Sequence, residues 1–160
     1  KNYRMHTDNK KSATVKKIMS NDLDLEAIRL KKMSEMMSQS QQKAVPDGVV
    51  DIESVDHFNQ IVTDYKDDLI ITDFWAQWCG PCKAFAPAFT ALQSEFKNKR
   101  VIFTKLNVDH HQDIAQQFGV SGIPTTLFIK GKKLVHRQVG MMPKAQFGGL
   151  IDDILRKLKN

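Results

Sequence analysis

The sequence has 160 residues, of which 41% are hydrophobic, and it carries a formal net charge of +6. This length and apolar content are sufficient for one domain with its own core and an additional short segment. No apolar run approaches the roughly 18 residues that a membrane-spanning helix requires, so we expect no membrane span.

The positive charge is concentrated in residues 1–19, which contain six Lys or Arg residues and one Asp. This stretch shows neither helical nor strand periodicity, and it is interpreted as a disordered basic tail. Such a run is compatible with binding to nucleic acid or to an anionic membrane. The composition favours a solubilising tail and argues against nucleic acid, because only Tyr3 places an aromatic ring among the charges.

Residues 22–43 are predicted to form an amphipathic helix with Asp22 as its N-cap. The apolar stripe at helical spacing consists of Leu23, Ala27, Leu30, Met33 (or Ser34) and Met37, and Leu25, Ile28 and Met36 widen it. A stripe of this kind needs a partner, either its own domain or a second copy of the chain, or else a groove or surface on another protein. The sequence leaves these possibilities open. We assign residues 20–45 to a helical extension with its linker and residues 46–160 to a separate domain.

Within residues 46–160 the hydrophobic pattern alternates between strands and helices before it ends in a hairpin and a helix. The predicted strands are 49–52 (short, or a turn), 69–75, 101–107, 126–130 and 133–139, and the predicted helices are 54–63, 81–97, 110–118 and 144–159. Pro87 is expected to kink the second of these helices. This order predicts an α/β fold, in which a mixed sheet carries helices on both faces.

The two cysteines of the chain, Cys79 and Cys82, directly follow the predicted strand 69–75 and are separated by two residues. A cysteine pair at this spacing between a strand and a helix is typical of a dithiol redox site. Cys79 would lie at the helix start, where free N–H groups and the helix dipole favour a thiolate, and Pro81 suits the first turn. We therefore expect Cys79 to attack and the more buried Cys82 to resolve.

Two other roles for the cysteine pair are disfavoured. A structural zinc site needs four ligands, and none of the five histidines shows ligand spacing with the single pair, so no metal is expected. A purely structural disulfide is also disfavoured, because closing so short a loop removes little chain entropy.

The segment from Asp73 to Lys83, Asp-Phe-Trp-Ala-Gln-Trp-Cys-Gly-Pro-Cys-Lys, resembles the active-site segment of the thioredoxin family. The resemblance extends from about residue 49 to residue 158 and includes Lys-Leu-Asn-Val-Asp at 105–109 and Gly-Val-Ser-Gly-Ile-Pro-Thr at 119–125. It implies the thioredoxin fold and thiol–disulfide exchange, with the amphipathic N-terminal helix as an addition.

The resemblance also assigns roles to individual residues. Asp73 interrupts an apolar strand, so burial should raise its pKa, and in the family this carboxyl assists proton transfer at Cys82 with Lys105 as its partner. Pro124 should be the cis proline that faces the cysteines and presents the backbone of Ile123 to the substrate. The apolar surface around Cys79 would be formed by Trp78, Gly80, Pro81, Gly122, Gly140 and Met141.

The predicted function is that of a general protein disulfide reductase, in which the Cys79–Cys82 disulfide serves as the redox group without a further cofactor. Protein disulfides are the expected substrates and a thioredoxin reductase the expected electron donor. The polar N-terminus lacks the apolar segment of a secretory signal, and we expect a reducing, cytoplasmic location. The alternatives are a disulfide isomerase or oxidase on the same fold, and a partner-docking or self-associating module that acts through the N-terminal helix.

Overall fold

The computed structural model describes the backbone of residues 9–160 and the side chains of residues 22–38 and 41–160. The chain divides between residues 42 and 43 into two compact units. The N-terminal unit contributes a helix, and the second unit contains the sheet and the remaining helices.

Helix α1 runs over Asn9–Ser40, so it begins 13 residues before the predicted start and ends short of residue 43. Residues 9–19 of the tail that was predicted to be disordered are thus part of α1, and residues 1–8 of that tail lie outside the described part of the chain. The physical reason is that no Gly or Pro interrupts residues 9–40, so a helix nucleated further along can propagate upstream. Of the helices in the described part of the chain, none has the length and apolar character needed to cross a membrane.

The sheet of the second unit has five strands in the order β1-β3-β2-β4-β5. The strands are β1 (Val50–Asp51), β2 (Leu69–Trp75), β3 (Val101–Asn107), β4 (Thr125–Lys130) and β5 (Lys133–Val139). Strands β1, β3 and β2 are parallel, whereas β4 is antiparallel to both β2 and β5. The predicted mixed sheet is confirmed, and the bounds of β2, β3 and β5 are those predicted from the sequence.

Four helices cover the two faces of the sheet, namely α2 (Val55–Asp64), α3 (Gly80–Phe96), α4 (Gln112–Gln117) and α5 (Lys144–Lys159), and a 3₁₀ turn (Lys97–Lys99) follows α3. The hydroxyl of Ser54 caps α2 by accepting a hydrogen bond from the His57 amide, as the sequence predicted. Helix α5 has its predicted bounds, while α4 is shorter than predicted at both ends.

Alternating residues of β2 supply two separate cores. Ile70 and Phe74 pack with Phe58 and Ile114 of α2 and α4 on one face. On the other face the core is rich in phenylalanine and contains Leu69, Ile71, Phe85, Phe89, Phe96, Phe103, Phe128 and Phe147. Asp73 has the same strand parity as Leu69 and Ile71, so its side chain points to the face that α3 covers.

Candidate active site

The cysteine pair lies where the carboxyl end of β2 leads into α3. Cys79 is the N-cap of α3 and is joined to Cys82 by a disulfide with a Cα–Cα distance of 5.3 Å. The Cys82 amide donates a hydrogen bond to Cys79 Sγ over 3.2 Å, so a helix N–H group is already directed at this sulfur. Cys79 is 4% exposed and Cys82 is 2% exposed, so the predicted difference in burial has the expected direction but is small in the disulfide form.

Asp73 is buried beneath the disulfide, two residues before the end of β2. Desolvation raises the pKa of its carboxyl from 3.8 to about 7, although the positive charge of Lys105 opposes the shift. Lys105 occupies the register position opposite Asp73 on the parallel strand β3. Its Nζ forms an ion pair with Asp51 Oδ1 at 3.3 Å, so Lys105 acts on Asp73 through its electric field.

A cavity of about 130 Å³ is lined by both this carboxyl and Cys82. Asp73, Cys82, Trp75 and Lys105 are among the residues that line it. In the part of the chain that the structure describes, Asp73 Oδ1 and Trp75 Nε1 are buried polar atoms without a hydrogen-bond partner. A carboxyl that titrates near neutral pH therefore faces the same small space as the Cys82 side chain.

The outer surface of the site is dominated by Trp78, which is 70% exposed. Its Nε1 donates a hydrogen bond to Asp109 Oδ2 over 3.1 Å, which fixes the indole ring above the loop that follows β3. Sequence reasoning included Asp109 in a motif but gave it no role. A separation of 31 positions carries no periodic signal that could have revealed the contact.

The loop before β4 completes the surface. The Ile123–Pro124 peptide bond is cis, as the resemblance implied, and Ile123 packs against the cluster that contains both cysteines. Trp78, Gly122 and Ile123 line one shallow depression of about 350 Å³. The Gly140 amide donates a hydrogen bond to the Pro124 carbonyl over 2.8 Å, so the end of β5 is joined to the same loop.

Among the described residues, no three His, Cys, Asp or Glu side chains are close enough together to hold a metal ion.

The comparison with known proteins agrees with this geometry. The thioredoxin family model matches residues 49–153. The thioredoxin of Haemophilus influenzae is 46% identical over 95 residues, which cover 59% of this chain and 87% of that protein. The thioredoxin of Chlorobaculum thiosulfatiphilum is 44% identical over 88 residues, which cover 55% of this chain and 81% of the relative.

Solved structures agree with the sequence relatives. A thioredoxin from Nicotiana alata superimposes with a TM-score of 0.61 at 34% identity and covers 69% of this chain and 96% of its own. The thioredoxin of Fasciola hepatica gives the same TM-score at 32% identity, with 66% and 98% coverage. The chain thus belongs to the thioredoxin family and is a thiol–disulfide oxidoreductase that acts on protein disulfides.

Proposed function

We propose that this chain is a general protein disulfide reductase in which Cys79 is the nucleophile and Cys82 the resolving thiol. One observation carries the assignment: the Cys79 sulfur is the N-cap of α3 and accepts a hydrogen bond from the Cys82 amide. The same amide and the helix dipole favour the Cys79 thiolate once the disulfide is reduced.

In the first step the Cys79 thiolate attacks one sulfur of a substrate disulfide. A Cys79–substrate S–S bond forms, the substrate S–S bond breaks, and the other substrate sulfur leaves as a thiolate that takes a proton from solvent. The attack occurs at the surface formed by Trp78, Gly80, Pro81, Ile123, Pro124 and Gly140. The backbone of Ile123 would pair with an extended substrate segment.

In the second step Cys82 loses its proton and its sulfur attacks Cys79 Sγ. The Cys79–Cys82 disulfide re-forms and the second substrate thiolate departs, so two electrons have passed from the chain to the substrate. The Asp73 carboxylate accepts the Cys82 proton, since a carboxyl with a pKa of about 7 exchanges protons readily at neutral pH. The shared cavity supports this role, and Lys105 tunes the carboxyl through its charge.

The cycle closes when an external dithiol reduces the Cys79–Cys82 disulfide, and we propose a thioredoxin reductase of a reducing, cytoplasmic compartment as that donor. The electrons reside on the two sulfurs, so the cycle requires no further cofactor. Gly80 and Pro81 between the cysteines favour the reducing end of the family.

The test is the reduction of a protein disulfide such as insulin by the full chain, with dithiothreitol as the electron source. Cys79→Ser should abolish the accelerated reduction, because no nucleophile remains. Cys82→Ser should instead accumulate a Cys79–substrate mixed disulfide, which mass spectrometry detects. Accumulation on Cys82 in the Cys79→Ser variant would reverse the assigned roles.

The two alternatives give different results. An oxidase or isomerase would have a reduction potential well above about −200 mV, which equilibration with glutathione measures. A docking module would retain its cellular role after Cys79→Ser.

A further inference from the structure

Helix α1 presents large apolar side chains to solvent at a regular spacing. Leu23, Leu30 and Met33 are 63–68% exposed, and together with Glu26 they alternate in steps of three and four residues. This is the spacing of the a and d positions in a coiled-coil seam, where each side chain packs into a hole of a facing helix. The sequence thus predicts a seam, and its apolar side chains are exposed to solvent in the described residues of α1.

The charges around this seam are segregated along the helix. Asp22, Asp24 and Glu26 make the stretch 22–26 acidic, whereas Arg29, Lys31 and Lys32 make the stretch 29–32 basic. An identical helix that runs in the opposite direction places its basic stretch beside this acidic one. A parallel copy in register would place Glu26 against Glu26 of the partner subunit in the seam, where the two like charges repel each other.

We propose that α1 pairs with α1 of a second copy of this chain as an antiparallel coiled coil. In the register that sets Leu23 against Met33 of the partner subunit, Leu30 packs beside Glu26 of the partner subunit. In the same register Glu26 approaches Arg29 of the partner subunit. Twofold symmetry repeats this contact, so two opposite-charge pairs lie along the seam.

The first residues of the thioredoxin domain are held by contacts within that domain. Lys43 Nζ forms an ion pair with Asp64 Oδ2 at 2.7 Å, and Arg100 Nη2 donates a hydrogen bond to the Lys43 carbonyl over 3.3 Å. The Tyr65 hydroxyl donates a hydrogen bond to the Ala44 carbonyl over 3.0 Å. These contacts hold the start of the domain beside residues that precede β2 and β3.

The active-site disulfide lies at the opposite ends of these strands. Arg100 comes directly before β3, whereas Cys79 follows the carboxyl end of the parallel strand β2. Each strand has seven residues that rise about 3.3 Å each, so its two ends are roughly 20 Å apart. The chain therefore enters the domain far from the disulfide, and pairing through α1 requires no group of the active site.

Sedimentation equilibrium of the full chain tests the pairing. We expect a concentration-dependent mass of about twice 18.3 kDa. Leu30→Glu should raise the dimer dissociation constant at least about a hundredfold, because two leucine side chains lose their burial in the seam. A monomer at all concentrations, or an assembly larger than two, would overturn the proposal.

Leu25→Glu is the matched control. Leu25 is 55% exposed and lies about 140° around the helix from Leu30, outside the seam, so its replacement should leave the dimer intact. Equal dissociation by the two substitutions would overturn the assigned seam. Because glutamate is a good helix former, circular dichroism should show unchanged helix content in both variants.

Disulfide cross-linking tests the orientation in chains that also carry Cys79→Ser and Cys82→Ser. An antiparallel pair should cross-link a Leu23→Cys chain to a Met33→Cys chain in a mixture and leave either chain alone largely uncross-linked. Efficient cross-linking of the Leu23→Cys chain to itself would overturn the antiparallel arrangement. These readouts use variants without the active-site thiols, so they are independent of the proposed reductase activity.

Discussion

Burial of Asp73 destabilises the folded protein when its carboxyl is ionised. The residue is 4% exposed, and its Oδ1 has no hydrogen-bond partner among the described protein atoms. Below about pH 4 the carboxyl is protonated in both the folded and the unfolded chain, and it carries no ionisation penalty. Between about pH 4 and pH 7 the unfolded chain releases the proton while the folded chain keeps it. Stability is therefore lost as the pH rises through this window and is constant above it.

Asp73→Asn should remove this pH-dependent cost. We expect the variant to be more stable than the parent by up to about 4 kcal/mol at pH 8, since three pKa units correspond to that energy, and to show little gain at pH 4. Guanidinium unfolding of the oxidised proteins measures both differences. A gain that does not change with pH would contradict the assignment of the raised pKa to Asp73.

Arg100 and Asp68 form an ion pair whose two partners differ in burial. Arg100 Nε and Nη2 donate hydrogen bonds to the two Asp68 carboxylate oxygens over 2.6 and 2.7 Å. The Asp68 side chain is 3% exposed and that of Arg100 is 38% exposed. Loss of the cation would leave a buried carboxylate, whereas loss of the anion leaves a guanidinium that water can reach.

The two sides of this pair should therefore respond unequally to neutralisation. Arg100→Met should lower the free energy of unfolding by about 3 kcal/mol, and Asp68→Asn should lower it by about 1 kcal/mol. Urea denaturation at pH 7 measures both values. Equal losses would mean that burial of Asp68 does not determine the energetics of the pair.

At the scale of elements, helix α5 contains a tightly packed core phenylalanine next to two glycines that weaken the helix. Phe147 is fully buried and meets the rings of Phe85, Phe89 and Phe128 at centroid distances of 5.1–6.4 Å. The adjacent Gly148 and Gly149 lie inside the helix, where glycine is destabilising relative to alanine. The tertiary packing of one face thus offsets a poor local propensity.

The two glycines provide a matched pair of substitutions. A Cβ at position 149 meets no atom within 4 Å, so Gly149→Ala should stabilise the protein by about 0.5–1 kcal/mol. A Cβ at position 148 lies 3.2 Å from Leu92 Cδ2, so Gly148→Ala should gain less or nothing. Thermal unfolding of the two variants checks the difference, and an equal gain would show that Leu92 moves without cost.

Sequence periodicity predicted most elements of the domain, because a strand or helix packed on one side must repeat its apolar residues. Strand β2 and helix α5 show this and have the predicted bounds. Helix α1 does not have its predicted bounds. Its upstream half lacks a clear apolar stripe, and only the absence of Gly and Pro permits a helix there. Boundaries set by propagation are not encoded in hydrophobic spacing.

At the scale of the whole molecule, the unit that begins at Lys43 holds its first residues by contacts of its own. A chain that begins at Lys43 keeps the contacts of Lys43 and Ala44 with Asp64, Tyr65 and Arg100. We expect it to reduce insulin at the same rate per dithiol as the full chain. The reason is that these contacts lie before the starts of β2 and β3, whereas Cys79 follows the carboxyl end of β2. A faster truncated chain would indicate instead that α1 covers the surface around Trp78.

The sequence by itself determined the chemistry of this protein. The spacing of Cys79 and Cys82 after an apolar strand predicted a dithiol at a helix start, since adjacent residues fix that geometry locally. Tertiary structure decided the contacts between distant positions. Only folding brings Trp78 to Asp109, pairs Lys105 with Asp51 and places Asp73 and Cys82 around one small cavity. Such contacts depend on how strands and loops are arranged in space, and no local periodicity records them.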